Sequence, residues 1–316
     1  MARLDCVMNI RQLRFFLQIA EIGSVTRAAS FLHIAQPALS RQMRQLEEEL
    51  GVTLFQRSDK GVALTDAGKL LCDRATALLQ HFERVRQEVR DEFNEPSGEL
   101  SIAMPPSMLD LVTMPTLARY RQRYPAVLLR VFEGISGVLN AWSMVQLGKV
   151  DLAIVTNIEP LATLEVSTFL RESLCLIGPK ESDLKIASPV SLAEVADQQL
   201  ILPSRPNTLR LTLESAMAEQ KLPLKVAFEG NTPQSVLAAV EAGMGFTALP
   251  FCSACSLYHE GRLAVAPIAD LEISWSIIQS REQPLSTAGE RMKVMLREIA
   301  LEQLSSGKWQ CARPSP

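Results

Sequence analysis

The chain has only three histidines in 316 residues, a formal net charge of −3, and no apolar run of membrane-spanning length. Each shortage excludes something. A helix that crosses a bilayer needs about 20 apolar residues in a row, so no such helix is expected. The first stretch, MARLDCVMNIRQLRFF, carries charge throughout and lacks the apolar centre of a secretory signal, which points to the cytosol. Three histidines leave few general bases. The chain also lacks a G-x-S-x-G elbow and a P-loop, and Gly243-Met-Gly245 never completes G-x-G-x-x-G. These absences weigh against an α/β enzyme. A chain of net charge −3 is no basic coat for nucleic acid, so any DNA signal must be local.

Cysteine is present at 6, 72, 175, 252, 255 and 311. Scattered through a cytosolic chain, these are expected to be free thiols, mostly buried. Cys252-Ser-Ala-Cys255 has CxxC spacing and reads as part of a structural loop or helix, with thiol redox sensing as the alternative. A zinc site there would need a second ligand pair, to which His259, four residues on, could bring one member.

At 316 residues the chain exceeds the roughly 250–300 at which single cores stop growing, so two or three domains are expected. The stretch 24–50 organises the first of them. Val25, Ala28, Ala29 and Leu32 fall on one face of a short helix. Leu39, Met43, Leu46 and Leu50 do the same in a second helix that Pro37 opens and Gly51 stops. Gln36, Ser40, Arg41 and Arg44 are left on or beside the other face. A helix-turn-helix needs this arrangement, because its second helix presents polar and basic side chains to base edges. A helix over 10–21, with Leu13, Phe16, Leu17 and Ala20 on one side, precedes it and ends at Gly23, with Ser24 as the next N-cap. From Ile10 to Lys60 seven basic residues face five acidic ones. So small an excess argues for a dimer or larger assembly that sums weak footprints.

Residues 52–65 fit a two-stranded wing, with Asp59-Lys60-Gly61 as its turn and Arg57 and Lys60 placed for phosphates or a minor groove. Thr65 is the expected N-cap of the next helix and Asp66 suits its positive end. Along that helix, about 66–93, Leu71, Ala75, Leu78, Phe82, Val85 and Val89 form a heptad stripe with charge on every other side. The stripe predicts a second helix packed along it, by dimerisation rather than by the helix's own domain. Asn94-Glu95-Pro96-Ser97-Gly98 reads as a hinge. Beyond Glu99 strands and helices alternate. Strands are expected at 100–104, 127–133, 151–155, 174–177, 200–202, 224–228, 246–249, 263–267 and 273–279. Helices are expected at 108–123, 138–147, 191–197, 208–220, 232–242 and 286–304. Alternation at this spacing argues an α/β fold with largely parallel strands covered by helices. The residues before Met8 have no periodic pattern, so translation from Met8 is an open alternative to Met1.

LRFFLQIAEIGSVTRAASFLHIAQPALSRQMRQLEEELGVTLFQR, followed by GVALTDAGKLL, resembles the DNA-binding signature of the LysR-type transcriptional regulators. YPAVLLRVFEGISGVLNAWSMVQLGKVDLAIV and VLAAVEAGMGFTALP resemble the family's co-inducer-binding half. LHIAQPALS, TDAGK and EGISGVLN look most like the nitrogen-assimilation-control branch. The resemblance implies a winged helix-turn-helix (8–65), a linker helix for dimerisation (66–94) and a two-lobed regulatory domain like periplasmic binding proteins (98–304). Lobe one would be 98–167 with 268–304, and lobe two 168–267. It also implies a homotetramer acting with RNA polymerase on promoter DNA, associated with the nucleoid, without a cofactor or metal.

Carried over position by position, the resemblance assigns base contacts to Gln36, Pro37 and Ala38, and base or phosphate contacts to Ser40 and Arg41, with Arg44 beside them on the DNA-facing side of the helix. It assigns the wing contact to Arg57, and phosphates to Ser24, Lys60 and Thr65. It points to a cleft for a small anionic effector at Pro106, Ser107, Met108, Ser136, Pro203, Ser204, Arg205 and Thr232, with Arg205 suited to a carboxylate. The alternative for that cleft is a set of capped helix ends with no ligand.

Overall fold

The computed structural model describes residues 8–58, 61–91, 95–133 and 138–315. Asp59, Lys60, Asn94, Ser136 and the stretch before Met8 therefore lie outside the described residues, as does the side chain of Val89. The chain divides into two compact units that change over at Val89–Arg90.

The N-terminal unit contains α1 (Ile10–Ile22), α2 (Val25–Phe31), α3 (Gln36–Leu50), the hairpin β1 (Phe55–Ser58) and β2 (Gly61–Leu64), and α4 (Asp66–Asp91). Local chemistry sets its boundaries. Asn9 and Gln12 form a reciprocal capping box at the head of α1, each side chain accepting the other's backbone N–H at 3.0 Å. Gly23 and Gly51 close α1 and α3 with φ of +68°. Phe16, Ile19, Ala28, Ala29, Leu39, Met43, Leu46 and Leu54 form the core. Leu50, expected on the buried stripe, is instead 39% exposed, at the last position of α3. The wing docks through backbone: the Val62 N–H donates to the Gly23 carbonyl at 3.0 Å. Gly61 has φ +133°, and a Cβ there would strike the Gly23 carbonyl, so only glycine fits.

The C-terminal unit is built on one mixed sheet. β3 (Gly98–Ala103), β4 (Val127–Phe132) and β5 (Leu152–Thr156) are parallel, in the order β4-β3-β5. Two long strands follow, β6 (Leu164–Pro179) and β10 (Leu263–Ser280), antiparallel to one another and running through both halves of the domain. The expected strand at 174–177 is thus the end of a strand of 16 residues, and 263–267 and 273–279 belong to a single strand of 18. Polar residues hid the start of β6, and in β10 the register slips between Pro267 and Glu272. The expected lobe limits at 167 and 267 fall inside β6 and at that slip. α5 (Met114–Arg123) and α6 (Val138–Gln146) accompany the first strands, and α11 (Thr287–Ser305) returns to them. The second half contains α7 (Leu192–Ala196), β7 (Leu200–Pro203), α8 (Thr208–Glu219), β8 (Val226–Gly230), α9 (Pro233–Glu241), β9 (Thr247–Pro250) and α10 (Phe251–His259).

The expected helix at 108–123 begins as a 3₁₀ turn at 106–108 and a π turn at 109–113, and becomes α-helical only at Met114. Pro115 lacks the N–H that would bond back to residue 111, which explains the break. β5 is buried along its whole length: Leu152 and Ile154 face the main core, Ala153 and Val155 a smaller one under α6.

The residues after α11 are built into the domain. Trp309 is 2% exposed, and β11 (Ala312–Pro314) pairs with β6. Glu172 on β6 is fully buried. Its Oε2 accepts the Trp275 indole N–H at 2.7 Å, and its Oε1 accepts the Trp309 indole N–H and the Cys252 backbone N–H, each at 2.9 Å. Burial pushes its carboxyl up to about 7 against the pull of those donors.

Candidate nucleic-acid interface and regulatory cleft

The outer face of α3 follows from how its inner face is spent. Leu39, Met43 and Leu46 seal against α1 and α2, so Gln36, Pro37, Ala38, Arg41 and Arg44 are exposed. Ser40 is half-buried, and its Oγ accepts a hydrogen bond from Gln36 Nε2 at 2.9 Å, one helical turn away. That bond holds the Gln36 amide along the helix rather than free in solvent. Among the described residues neither Arg41 nor Arg44 has an ion-pair partner. The acidic run Glu47–Glu49 lies at the far end of α3, about 16 Å along the axis from Gln36 at 1.5 Å per residue. Glu47 is turned inward, where its carboxylate accepts the Leu54 and Phe55 N–H groups at 2.7 and 3.2 Å and ties the wing to α3. Glu48, four residues beyond Arg44, is exposed, so the acidic run begins one turn after the basic pair.

Ser24 caps α2, accepting from the Arg27 N–H at 3.4 Å. Thr65 is more committed. Its hydroxyl donates to the Thr53 carbonyl at 2.7 Å and accepts from the Gly68 N–H at 3.0 Å, so it caps α4 and has little left for a phosphate. Arg57 is exposed on β1. On α4, Leu71 is half-buried in the N-terminal core and Ala75 is buried, whereas Leu78, Phe82 and Val85 are 48%, 38% and 43% exposed. The unpartnered part of the heptad stripe thus begins at Leu78. Glu83 alongside it pairs with Arg14 of α1 and Arg86 of α4.

Within the C-terminal unit a cavity of about 100 Å³ opens between the ends of β3 and β5 and the starts of α8 and α9. Pro106, Ser107, Pro203 and Thr232 line it as expected. Sequence reading missed Thr156, Asn207, Thr208, Asn231 and Trp275, which also line it. The helix-start signals at Asn207 and Thr232 were legible, but which starts converge depends on the fold. Asn207 caps α8 by accepting the Leu209 and Arg210 N–H groups, and Thr232 caps α9 through the Ser235 N–H. Three expected residues belong elsewhere. Met108 is wholly buried in the core, because the 3₁₀ turn rotates it inward. Ser204 bonds through its N–H to the Gly230 carbonyl. Arg205 pairs with Glu214 at 2.9 Å, and Arg210 holds Glu214 and Glu229, so these guanidiniums are neutralised within the lobe. Among the described residues the lining carries no charge. Asn157 beside it bridges the two halves of the domain, donating to Thr212 Oγ1 at 3.1 Å and accepting from the Ser274 N–H at 2.8 Å.

Cys252 and Cys255 are one turn apart on α10 and both buried. Burial pushes the Cys252 thiol well up and Cys255 to about 11, the opposite of a reactive CxxC pair. His259 contacts the Lys308 carbonyl, and no metal-ligand cluster occurs among the described residues.

Residues 10–69 match the bacterial regulatory helix-turn-helix protein family of the lysR type, and residues 93–300 match the LysR substrate binding domain. The nitrogen assimilation regulatory protein nac of Escherichia coli (strain K12) is 32% identical over 295 residues, 92% of this chain and 95% of that protein. The protein of the same name from Klebsiella aerogenes is also 32% identical over 295 residues, with the same coverage. Among solved structures, a full-length cysteine-to-aspartate variant of OxyR from Pseudomonas aeruginosa superposes with TM-score 0.72 at 21% identity, covering 93% of this chain and 95% of that one. CbnR complexed with its target DNA gives TM-score 0.70 at 22% identity, covering 93% and 100%. At such identities these two structures speak to fold alone. The relatives are named as regulators, not enzymes, and the chain belongs to the LysR family of transcriptional regulators, where it resembles the nitrogen assimilation regulators.

Proposed function

We propose that the protein binds promoter DNA through α3, as a dimer or a dimer of dimers joined through α4, and that a small molecule in the cleft modulates the outcome. The observation that carries this reading is the division of α3 into a sealed apolar face and an exposed face bearing Gln36, Pro37, Ala38 and Arg41. Gln can bond adenine through two hydrogen bonds, Pro37 and Ala38 can touch a thymine methyl, and Arg41 and Arg44 meet guanine or phosphate. Arg57 on the wing supplies a second footprint, and Ser24 and Lys60 phosphate contacts. A promoter-bound protein sits on the nucleoid, with RNA polymerase as its working partner. Gel retardation with DNA from upstream of its own gene tests this. A complex that survives excess unrelated DNA at moderate salt, and is shifted further by RNA polymerase, is expected. Retardation lost equally to any competitor would overturn it.

The uncharged cleft, framed by two capped helix starts, suits a small anion held by hydroxyls and helix ends rather than by a guanidinium. A thermal-shift panel of small carboxylates is expected to contain one that raises the melting point, with the rise lost in Thr232→Val. A flat response to every member would leave the cleft as no more than two capped helix ends.

A further inference from the structure

Beside the cleft the C-terminal unit holds a second cavity, of about 300 Å³, with three walls. α9 contributes Gln234, Leu237, Ala238 and Glu241, which recur at i, i+3, i+4 and i+7 and so share one helical face. α10 contributes Ser253, Ser256 and Leu257 by the same spacing. The third wall is the turn ahead of α5, where Leu109 and Asp110 face the two helices. A cavity of this volume is of the size that small ligands occupy. Pro106, Ser107 and Pro233 line both this cavity and the cleft, so the two share a wall.

The charges of the second cavity do not balance. Among the described residues Arg262 is the one cation of its lining, and it is already spent. Its guanidinium donates to both carboxylate oxygens of Glu241, at 2.6 and 2.8 Å, and to Glu260 at 2.9 Å. Those bonds hold it above its ordinary range. Asp110 is left over. Its Oδ2 accepts the Ser256 hydroxyl at 2.6 Å, and among the described residues it has no ion-pair partner. Ser253 Oγ is buried at the wall, also without a hydrogen-bond partner among the described residues. The cleft differs, since its lining carries no charge.

We propose that this cavity is a second ligand site, for a small primary amine whose ammonium meets Asp110 and whose apolar body lies against Leu109, Leu237 and Leu257. An ammonium supplies the charge that Asp110 lacks, where the Ser256 hydroxyl already orients the carboxylate. An anion is turned away by Asp110 and Glu241, and a neutral body leaves Asp110 unpaired. The turn at 106–110 belongs to the first half of the domain, and α9 and α10 belong to the second. An amine between them therefore touches both halves, and through the shared wall it bears on the shape of the cleft. The site stands apart from the anion proposed for the cleft, because the two cavities have no charged residue in common.

The test is isothermal titration of the full-length protein with benzylamine, n-butylamine and 1,4-diaminobutane, each beside the alcohol of the same shape, in an amine-free buffer. Saturable binding of at least one amine is expected, about tenfold tighter than its alcohol. Asp110→Asn should remove that preference. Ala238→Leu should block amine and alcohol alike by filling the cavity, and Ala238 is exposed on α9, so its replacement leaves the core intact. Thr232→Val, in the cleft, should leave amine binding unchanged. Saturable binding of none of the three amines, or equal affinity for every amine and its alcohol, would overturn the proposal. A preference that survives Asp110→Asn, amine binding that survives Ala238→Leu, or a loss confined to Thr232→Val would do the same.

Discussion

A carboxylate buried among two indoles and a backbone amide sets desolvation against hydrogen bonding. At Glu172 desolvation is the larger, and the carboxyl rises to about 7. Because the folded state holds the proton above the ordinary carboxyl range, its contribution to stability is full below that range. It is lost as pH rises through about 7, while the unfolded chain has already ionised. Wild-type stability is therefore expected to fall by about 3 kcal/mol, as an order of magnitude, between about pH 5 and about pH 8 from this group. Glu172→Gln should flatten that slope. At the acid end it should also cost about 1–3 kcal/mol, since an amide N–H then faces an indole N–H. Urea denaturation at the two pH values reads both, and an unchanged slope in the variant would contradict the assignment. Nothing in RESLC announced this residue. Its burial depends on Trp275 and Trp309, which are 103 and 137 positions away. Arg205 is similar, since only the fold brings it to Glu214 instead of the cleft. Gln36 and Arg41 were legible because helical spacing alone assigns them to the face opposite Leu39 and Met43.

At the scale of elements, caps made the N-terminal helices readable. Gly23, Ser24, Gly51 and Thr65 each stand where a helix begins or ends, and each uses backbone groups within a few residues. The long strands were not readable, because polar residues through 165–173 interrupt the apolar pattern of β6, and Pro267 and the register shift before Glu272 interrupt that of β10. The stripe on α4 is intermediate. Its period was visible, but the loss of Leu71 to the N-terminal core was not, since that depends on the wing and α3. The exposed remainder gives a sharp test. Leu78→Glu buries a charge in any helix–helix seam, so the oligomer mass by light scattering should fall with a dissociation constant at least about tenfold weaker. A variant that keeps its full mass at the same concentration would remove α4 from the assembly.

For the whole molecule, one copy of α3 offers few basic contacts, and a partner copy doubles them. Two copies joined through α4 require a paired site, with half-sites about one helical turn (~10 base pairs) or a multiple of it apart. Each unit has its own core, and the cavity lies within the α/β unit. Hydroxyl-radical footprinting of the full-length protein on its own upstream DNA, wild type beside Arg41→Ala, tests this most directly. Two protected segments at that spacing are predicted. Arg41→Ala should weaken them by about 1–3 kcal/mol while unrelated DNA is bound almost as before. A single protected segment, or a loss shared equally by every sequence, would contradict base reading by paired α3 helices.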